Sequence, residues 1–359
     1  MRPSLWLCLA GCAALACAGD SGPLEVEPPE AVPATASPVP SGPATRWVLV
    51  YAGSRKSFSP SYSVNQFRRL ITHVDTLAQP QYWVFSGAIF LHLYAPSGRT
   101  FATWIGGVPA TGADWSDYLD SLFVPRAALA RLDSMLTLAQ TAIGPPPLPF
   151  RVSIMIPYPA PSIGMLEFGG RAYDFATEAG RADAVAAYVS EAVRRFQAAG
   201  YKQLHFDGFY WLLECAPPSD LGVISRLSAH VHANGTRLLW IPYYGAENWN
   251  RWAQLGFDAA WLQPNYFFDP GLAPTRLDSA AALAEQGGLG MQVEFDGRIW
   301  VESVYHDRLQ PYLATLALWP QLRAREVAVY EGAGALLRMG ISKVPEERAL
   351  YQTIGDALR

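Results

Sequence analysis

Two glutamates in this sequence have surroundings suited to paired acid–base chemistry. Glu214 follows the aromatic run Phe209-Tyr210-Trp211, and Glu294 lies in an apolar segment beside Gln292. Apolar surroundings raise the pKa of a carboxyl group, so we expect Glu214 to hold a proton that it can deliver. Polar neighbours suit Glu294 to the ionised role, in which it attacks or activates water. Cleavage of a glycosidic bond requires one carboxyl group of each kind.

Aromatic and amide side chains near these glutamates indicate a sugar-binding site. Flat rings pack against the apolar face of a pyranose, and amides bond to its hydroxyl groups. The predicted substrate-binding residues are Asp207, Tyr210, Trp211, Tyr243, Tyr244, Trp261, Gln263, Asn265 and Tyr266. Asp207 has a second interpretation, as a buried ion-pair partner of an arginine or histidine. The six histidines form no close ligand set, so we predict neither a metal site nor a cofactor.

The elements that must position these residues are eight apolar, β-branched segments, each followed by a helical pattern. Buried strands alternating with helices favour a (β/α)8 TIM barrel. The predicted strands cover residues 47–51, 82–93, 152–156, 203–211, 237–243, 259–263, 290–295 and 327–330. A doubly wound open sheet is the alternative fold. Against it, Tyr51-Ala52-Gly53-Ser54-Arg55 is not the phosphate-binding turn that such a sheet carries after its first strand.

Side-chain alternation along the strands predicts which residues face the barrel interior. A strand face that carries carboxylates cannot pack against helices without large cost, so Glu294 must point inward. The same parity applies to Trp261, Gln263 and Asn265 in the sixth segment, and it places Asp207 and Trp211 inward in the fourth. The mouth at the carboxyl ends of the strands should therefore bring Glu214 and Glu294 together. We expect their carboxyl groups to be roughly 5–5.5 Å apart, the spacing of retaining glycosidases.

The first 45 residues predict an export signal and a tether. Arg2 precedes an apolar stretch over residues 5–16, which is too short to span a bilayer but suits a signal peptide. Cys17 is the predicted lipidation site, with Cys12 or ordinary cleavage around residues 16–18 as alternatives. The following segment is rich in Pro, Ala, Ser and Gly and indicates an extended linker. The expected organisation is a signal peptide over 1–16, a linker over 17–45 and one barrel domain over 46–359.

Charge excludes one class of partner. The chain has 27 Lys and Arg residues against 31 Asp and Glu, a formal net charge of -4, and it contains no basic run. Such a chain offers a phosphate backbone little countercharge, which argues against nucleic-acid binding. The predicted partners are a carbohydrate substrate and, through the lipid anchor, a membrane of the cell envelope. The domain is expected to be a monomer.

Several motifs resemble domain-of-unknown-function family 4855. They are Gly208-Phe209-Tyr210-Trp211 with Glu214, Trp240-Ile241-Pro242-Tyr243-Tyr244-Gly245-Ala246 and Trp261-Leu262-Gln263-Pro264-Asn265-Tyr266-Phe267-Phe268. Shorter matches occur at Asp114-Trp115 and Ile156-Pro157-Tyr158. The resemblance extends over nearly the whole chain after the linker. It implies a bacterial, often exported, TIM-barrel-like domain and leaves the chemistry open.

A looser resemblance is to the retaining glycosidases of glycoside hydrolase clan A. It implies an acid/base at the end of strand four and a nucleophile on strand seven, which would be Glu214 and Glu294. The Asn-Glu pair that usually ends strand four is here Leu213-Glu214. The leading hypothesis is an exported, membrane-anchored glycoside hydrolase that acts on a polysaccharide or glycan with retention. The alternative is a non-catalytic carbohydrate-binding surface lipoprotein on the same fold.

Overall fold

The computed structural model describes residues 44–52, 62–332 and 334–359. Eight parallel strands in these ranges close into a barrel with the order β1-β8-β7-β6-β5-β4-β3-β2. They are β1 (Arg46–Tyr51), β2 (Gly87–Leu91), β3 (Phe150–Ile156), β4 (Leu204–Trp211), β5 (Arg237–Trp240), β6 (Ala259–Leu262), β7 (Gly290–Glu294) and β8 (Val327–Tyr330). The predicted (β/α)8 barrel is confirmed. The predicted signal peptide, both candidate lipidation cysteines and nearly all of the linker lie outside the described residues.

Helices surround the barrel and bury one apolar face each against the strands. They are α1 (Val64–Ile71), α2 (Gly112–Phe123), α3 (Ala128–Ile143), α4 (Glu178–Ala199), α5 (Leu221–Ala233), α6 (Thr275–Gly287), α7 (Ser303–Leu318), α8 (Pro320–Ala324), α9 (Ala335–Met339) and α10 (Pro345–Leu358). In α4 the buried face includes Val185, Tyr188, Val189 and Ala192, at the spacing that the sequence predicts. Among the helices of the described ranges, none is long and apolar enough to cross a membrane.

Two segments depart from the predicted pattern. The predicted strand 82–93 is divided, because Pro80–Trp83 pairs antiparallel with Thr72–Val74 and only Gly87–Leu91 enters the barrel. Gly87 permits that entry: a Cβ atom there would lie 2.6 Å from the Trp47 ring. The second departure follows β5, where the chain forms only the 3-10 turn Trp249–Arg251 instead of a full helix.

A bulge in β4 sets the orientation of the strand end. Val152 of β3 pairs with Phe206, but the next residue along β3 pairs with Gly208, so Asp207 is the extra residue. Gly208 has a φ of 149°, and a Cβ atom there would lie 2.0 Å from the carbonyl oxygen of Arg237. Only glycine fits this close approach. Because a bulge shifts the alternation by one residue, the inward positions beyond it differ from those that simple parity predicts.

The amino-terminal end of the barrel is closed by charged and aromatic side chains, which we call the floor. Asp207 accepts from Arg151 at 2.9 Å and lies 3.3 Å from Arg237, which also bonds to Glu326. The indole N–H groups of Trp47 and Trp261 donate to the side chain and the backbone carbonyl of Glu326, respectively. The floor is a satisfied ionic network, so it stabilises the barrel and leaves the opposite end open for a site.

Candidate active site

A pocket opens at the carboxyl ends of the strands, with about 550 Å³ of empty space when the open solvent at its mouth is included. Its walls combine aromatic rings, aliphatic side chains, two amides and one carboxyl group. They are formed by Leu49, Tyr51, Leu91, Leu93, Trp104, Ile105, Tyr210, Leu212, Glu214, Gln263, Phe268, Gln292 and Tyr330. These residues come from β1, β2, β4, β6, β7 and β8 and the loops that follow them, as in other barrels whose sites lie at this end.

Glu214 is the carboxyl group that lines the pocket. Burial raises its pKa to about 8, and the charge of Glu294 adds to the shift. Its Oε2 atom is buried and has no hydrogen-bond partner among the described residues. The backbone carbonyl of Glu214 accepts from the N–H of Tyr243 at 3.1 Å, which ties the loop after β4 to the end of β5. At neutral pH Glu214 is therefore protonated, as a general acid must be.

Glu294, the last residue of β7, is fully buried beside the pocket. Its Oε2 atom accepts from the Tyr312 hydroxyl at 2.6 Å and from the Asn265 N–H at 2.8 Å. Burial raises its pKa to about 7, while the Tyr312 hydroxyl, the Gln263 amide and the Asn265 N–H oppose the shift. Glu294 therefore ionises more readily than Glu214.

The structure brings several predicted residues to the glutamates. Tyr210 and Gln263 line the pocket. Tyr243 is buried next to Glu214, whose charge helps to raise the pKa of the Tyr243 phenol. Asn265 adopts a left-handed backbone conformation with a φ of 56°, which aims its N–H at Glu294. This conformation costs an asparagine little, since its side chain tolerates the left-handed region better than most.

Other predicted residues lie elsewhere. The β4 bulge turns Tyr210 into the pocket and Trp211 away from it, with the Trp211 ring 6.0 Å from that of Tyr158. Trp261 does point inward but packs against Trp47 on the floor. Asp207 belongs to the floor network, so the ion-pair interpretation describes it and the substrate-binding one does not.

Two predicted tyrosines lie outside the pocket, and each has an arginine guanidinium stacked on its ring. The guanidinium of Arg308 stacks 3.6 Å from the Tyr266 ring centroid, and that of Arg276 lies 4.0 Å from the Tyr244 ring centroid. Tyr266 is buried beneath α7. Tyr244 instead contributes its backbone N–H, which donates to the carbonyl of Gln263 at 2.8 Å. Neither tyrosine lines the pocket, and their contacts tie together the loops that follow β5 and β6.

Ten pocket residues were not in the predicted site, and five of these carry an aromatic ring or an amide: Tyr51, Trp104, Phe268, Gln292 and Tyr330. Gln292 shares the inward face with Glu294, so strand parity could have found it. Tyr51 and Tyr330 end adjacent strands, and their rings meet edge to face at 5.8 Å. Trp104 lies in the long loop after β2, and no sequence pattern indicates where that loop folds.

Phe268 is supported from behind by a charged group. Its ring meets that of Tyr330 at 5.7 Å, and the Arg298 guanidinium lies 5.3 Å from its centroid. Both carboxylate oxygens of Asp296 accept hydrogen bonds from Arg298, and Arg298 donates a further hydrogen bond to the Tyr305 hydroxyl. The charge of Arg298 is therefore neutralised within the wall, and Phe268 is held as a fixed surface of the pocket.

Another buried carboxyl group, Glu331, follows β8 and does not line the pocket. Its Oε2 atom accepts from the N–H groups of Gly334 and Leu336 at the start of α9. Burial raises its pKa to about 8. Its role in the described structure is to cap that helix. Nowhere in the described ranges do three His, Cys, Asp or Glu side chains gather as a metal-binding group.

Comparison with known families identifies the chain. The family described as "Domain of unknown function (DUF4855)" matches residues 46–356. The chain belongs to this family. The match spans the barrel from the first residue of β1 almost to the end of α10, as the sequence motifs predict. No curated protein matches the chain.

Solved structures similar to this DUF4855 domain share its fold at low sequence identity. A GH5 xyloglucanase from Bacteroides ovatus, solved with a XXXG heptasaccharide, has 10% identity and a TM-score of 0.47 over 87% of this chain and 75% of its own. A GH5-4 broad-specificity endoglucanase from an uncultured bacterium has 9% identity and a TM-score of 0.48, covering 88% and 93%. A tryptophan synthase alpha-subunit mutant from Pyrococcus furiosus has 8% identity and a TM-score of 0.41, covering 88% and 97%. At this level of similarity none of them bears on the chemistry of the site.

Proposed function

We propose that this DUF4855 protein is a glycoside hydrolase in which Glu214 is the general acid/base and Glu294 the nucleophile. The observation that carries the proposal is the pairing of two carboxyl groups with different surroundings at one pocket, Glu214 in its wall and Glu294 buried beside it. Glu214 has the higher pKa, whereas Glu294 has three hydrogen-bond donors that favour its ionised form, the Tyr312 hydroxyl, the Gln263 amide and the Asn265 N–H. Amides and aromatic rings in the same walls suit a sugar ring.

The chemistry follows from these positions. Glu214 donates its proton to the leaving glycosidic oxygen while Glu294 attacks the anomeric carbon, and a covalent glycosyl–enzyme ester results. Glu214, now ionised, takes a proton from water, and that water cleaves the ester with overall retention. Each carboxyl group thereby returns to its starting state. The Tyr312 hydroxyl and the Asn265 N–H hold one oxygen of Glu294, which leaves Oε1 for the attack.

The test uses the full-length protein, a panel of plant, algal and bacterial polysaccharides, and the variants Glu214→Gln and Glu294→Gln. Wild type should release oligosaccharides, and each variant should lose at least about 1,000-fold in rate, since both groups act in the same transition state. Glu302→Gln, an exposed glutamate after β7, is the matched control and should retain full activity. Products with the anomeric configuration of the substrate, followed by NMR, support retention; inverted products contradict it.

A carbohydrate-binding protein without catalysis is the second candidate, and one observation favours it. Glu294 is fully buried and is separated from the empty space by the pocket-lining side chains. A carboxylate that never meets substrate cannot attack it. Under this alternative no polysaccharide is cleaved, yet one glycan retards wild type and Glu294→Gln equally in affinity electrophoresis.

Export and lipid anchoring are part of the same proposal and rest on residues 1–45. The apolar stretch, the cysteines at 12 and 17 and the Pro-rich linker support a tethered envelope protein that reaches an external glycan. Mass spectrometry of the mature protein tests this directly. A lipid-modified amino-terminal cysteine at position 17 supports it, and an unmodified amino terminus at residues 16–18 contradicts it.

A further inference from the structure

The pocket has two chemically different sides. Leu91, Leu93 and Ile105 belong to β2 and the loop after it, whereas Gln263 lies at the end of β6. β2 and β6 are four strands apart in an eight-stranded barrel, so these residues face each other across the barrel axis. One side is therefore aliphatic, and the other carries hydrogen-bonding amides.

No cation lines this pocket in the part of the chain that the structure describes. Its charged or ionisable side chains are one carboxyl group, Glu214, and three phenols. Glu294 adds a second carboxyl group close by. The nearby guanidinium of Arg298 is engaged by Asp296 on the outer side of Phe268. A uronic acid or a sulfated sugar would bring a further negative charge beside two carboxyl groups with nothing to balance it, so the site selects a neutral sugar.

The amide side has unused acceptors. The Oε1 atoms of Gln263 and Gln292 are buried there and have no hydrogen-bond partner among the described residues. The same holds for the Oε2 atom of Glu214, which follows β4 and lies between the two sides. Buried acceptors without donors are unfavourable, and sugar hydroxyl groups can supply the missing donors. The hydroxyl-bearing part of a sugar ring therefore fits against this side.

The aliphatic side favours a group without hydroxyls. Leu93 and Ile105 are partly exposed at the rim, and neither they nor Leu91 offers a hydrogen bond from the side chain. A hydroxymethyl or acetamido substituent pressed against them would lose its hydrogen bonds to water without replacement. A methyl substituent loses nothing and buries apolar surface.

We infer that the pocket takes a neutral 6-deoxyhexose whose C6 methyl packs against Leu91, Leu93 and Ile105. Its hydroxyl groups then meet Gln263, Gln292 and Glu214. This inference deepens the proposed function by naming the substrate class, and it rests on the pocket being a sugar site. It does not require that the bound sugar be cleaved.

Binding of free monosaccharides to the full-length protein tests the inference apart from catalysis. Calorimetry compares matched pairs that differ only in the C6 hydroxyl: D-fucose with D-galactose, L-fucose with L-galactose, 6-deoxy-D-glucose with D-glucose, and L-rhamnose with L-mannose. We expect at least tenfold tighter binding of the deoxy member in one pair. Equal or tighter binding of the hydroxymethyl member in every pair, preference for a uronic acid or an N-acetylhexosamine, or no binding of any sugar would overturn the inference. Deoxy-sugar binding without any polysaccharide cleavage refutes the catalytic proposal and leaves this one standing.

A matched pair of variants tests whether the preference for the deoxy sugar arises at the aliphatic side. Ile105→Thr places a hydroxyl on the aliphatic side, at a partly exposed turn where folding should not suffer, and should reduce the deoxy preference at least threefold. Ile163→Thr makes the same change in the turn after β3, which lines a different cavity, and should leave the preference unchanged. Equal effects of the two variants would place the sugar elsewhere.

Discussion

Glu214 and Glu294 differ both in how deeply they lie and in what surrounds their oxygens, because Glu214 is partly exposed in the pocket wall whereas Glu294 is fully buried. Burial raises the pKa of both groups, but only Glu294 has donors that stabilise its charge. The negative charge of Glu294 then raises the pKa of Glu214 further. The ionised form of Glu294 thus favours the protonated form of Glu214. The proposed roles of acid and nucleophile rest on this asymmetry.

The two pKa values predict a narrow pH optimum for activity. Glu294 must be ionised, so kcat/KM should fall as the pH drops through about 7. Glu214 must be protonated, so kcat/KM should fall as the pH rises through about 8. Between these limits the rate is maximal, and about two pH units beyond either limit it should be about 100-fold lower. A kcat/KM profile that stays flat from pH 5 to pH 10 would contradict the assignment.

Glu214 also makes the stability of the fold depend on pH. The folded chain keeps its proton up to about pH 8, whereas the unfolded chain releases it near the ordinary value of 4.5. The folded state therefore binds more protons between these values, and the free energy of unfolding falls as the pH rises through this range. In wild type the free energy of unfolding, measured by urea denaturation, should fall between pH 5 and pH 8. In Glu214→Gln this fall should be smaller by on the order of 3 kcal/mol. Glu302→Gln should behave as wild type, and an identical loss in Glu214→Gln would exclude Glu214 as its source.

At the scale of elements, α7 fastens the site from outside the barrel. Arg308 is buried and donates to the carbonyl groups of Tyr266, Asp269 and Leu272, which fixes the loop after β6. Tyr312, one turn later, donates to Glu294 and accepts from the Phe267 N–H at 3.2 Å. One helix face therefore holds both Glu294 and the loop that carries Asn265 and Phe268.

Tyr312→Phe should separate positioning from chemistry. Loss of the hydroxyl removes a donor that favours the ionised form of Glu294, so the acidic limb of the pH–rate profile should move to higher pH. The rate at pH 7 should fall about tenfold to 100-fold. The control is Tyr188→Phe in α4. It removes another buried hydroxyl, which donates to the Met155 carbonyl, and should leave the acidic limb unchanged. An unshifted limb in Tyr312→Phe would show that Tyr312 has only a structural role.

The strands, and the position of the two glutamates at one end of the barrel, could be predicted from the sequence because buried strands and inward carboxylates impose strong patterns. The catalytic roles of the glutamates stay predictions. Which side chains at the end of β4 point into the pocket could not be predicted. One extra residue, Asp207, reverses the alternation that assigned Trp211 to the site. Glycine at position 208 is a recognisable sign of a bulge, but it does not reveal the register. Tyr266 shows a different limit: its partner Arg308 is 42 residues away, and such pairing leaves no local pattern.

At the scale of the molecule, the barrel separates stability at the floor from chemistry at the mouth. Asp207→Asn tests this separation. The change weakens the pairs with Arg151 and Arg237 and should lower the free energy of unfolding by about 2–3 kcal/mol while kcat changes less than twofold. Denaturation and turnover of the same preparation measure both quantities.

The control for that experiment is Asp183→Asn, which breaks an exposed pair with Arg171. Exposed pairs contribute about 0–1 kcal/mol, so its unfolding should barely change. If Asp207→Asn loses most of its turnover while its free energy of unfolding is unaltered, Asp207 acts in catalysis. That result would refute the division between floor and mouth.

The hydrogen bonds of Arg46 have a consequence for engineering. Its guanidinium donates to the carbonyl of Leu358 at 3.2 Å and to that of Ala44 at 3.4 Å, so the beginning of β1 and the end of α10 meet on the floor. A short linker between these points would close the barrel into a ring without passing the mouth. Circular permutants opened at the exposed turn of Gly169 and Gly170, which does not line the pocket, should then fold with the pocket on an intact scaffold.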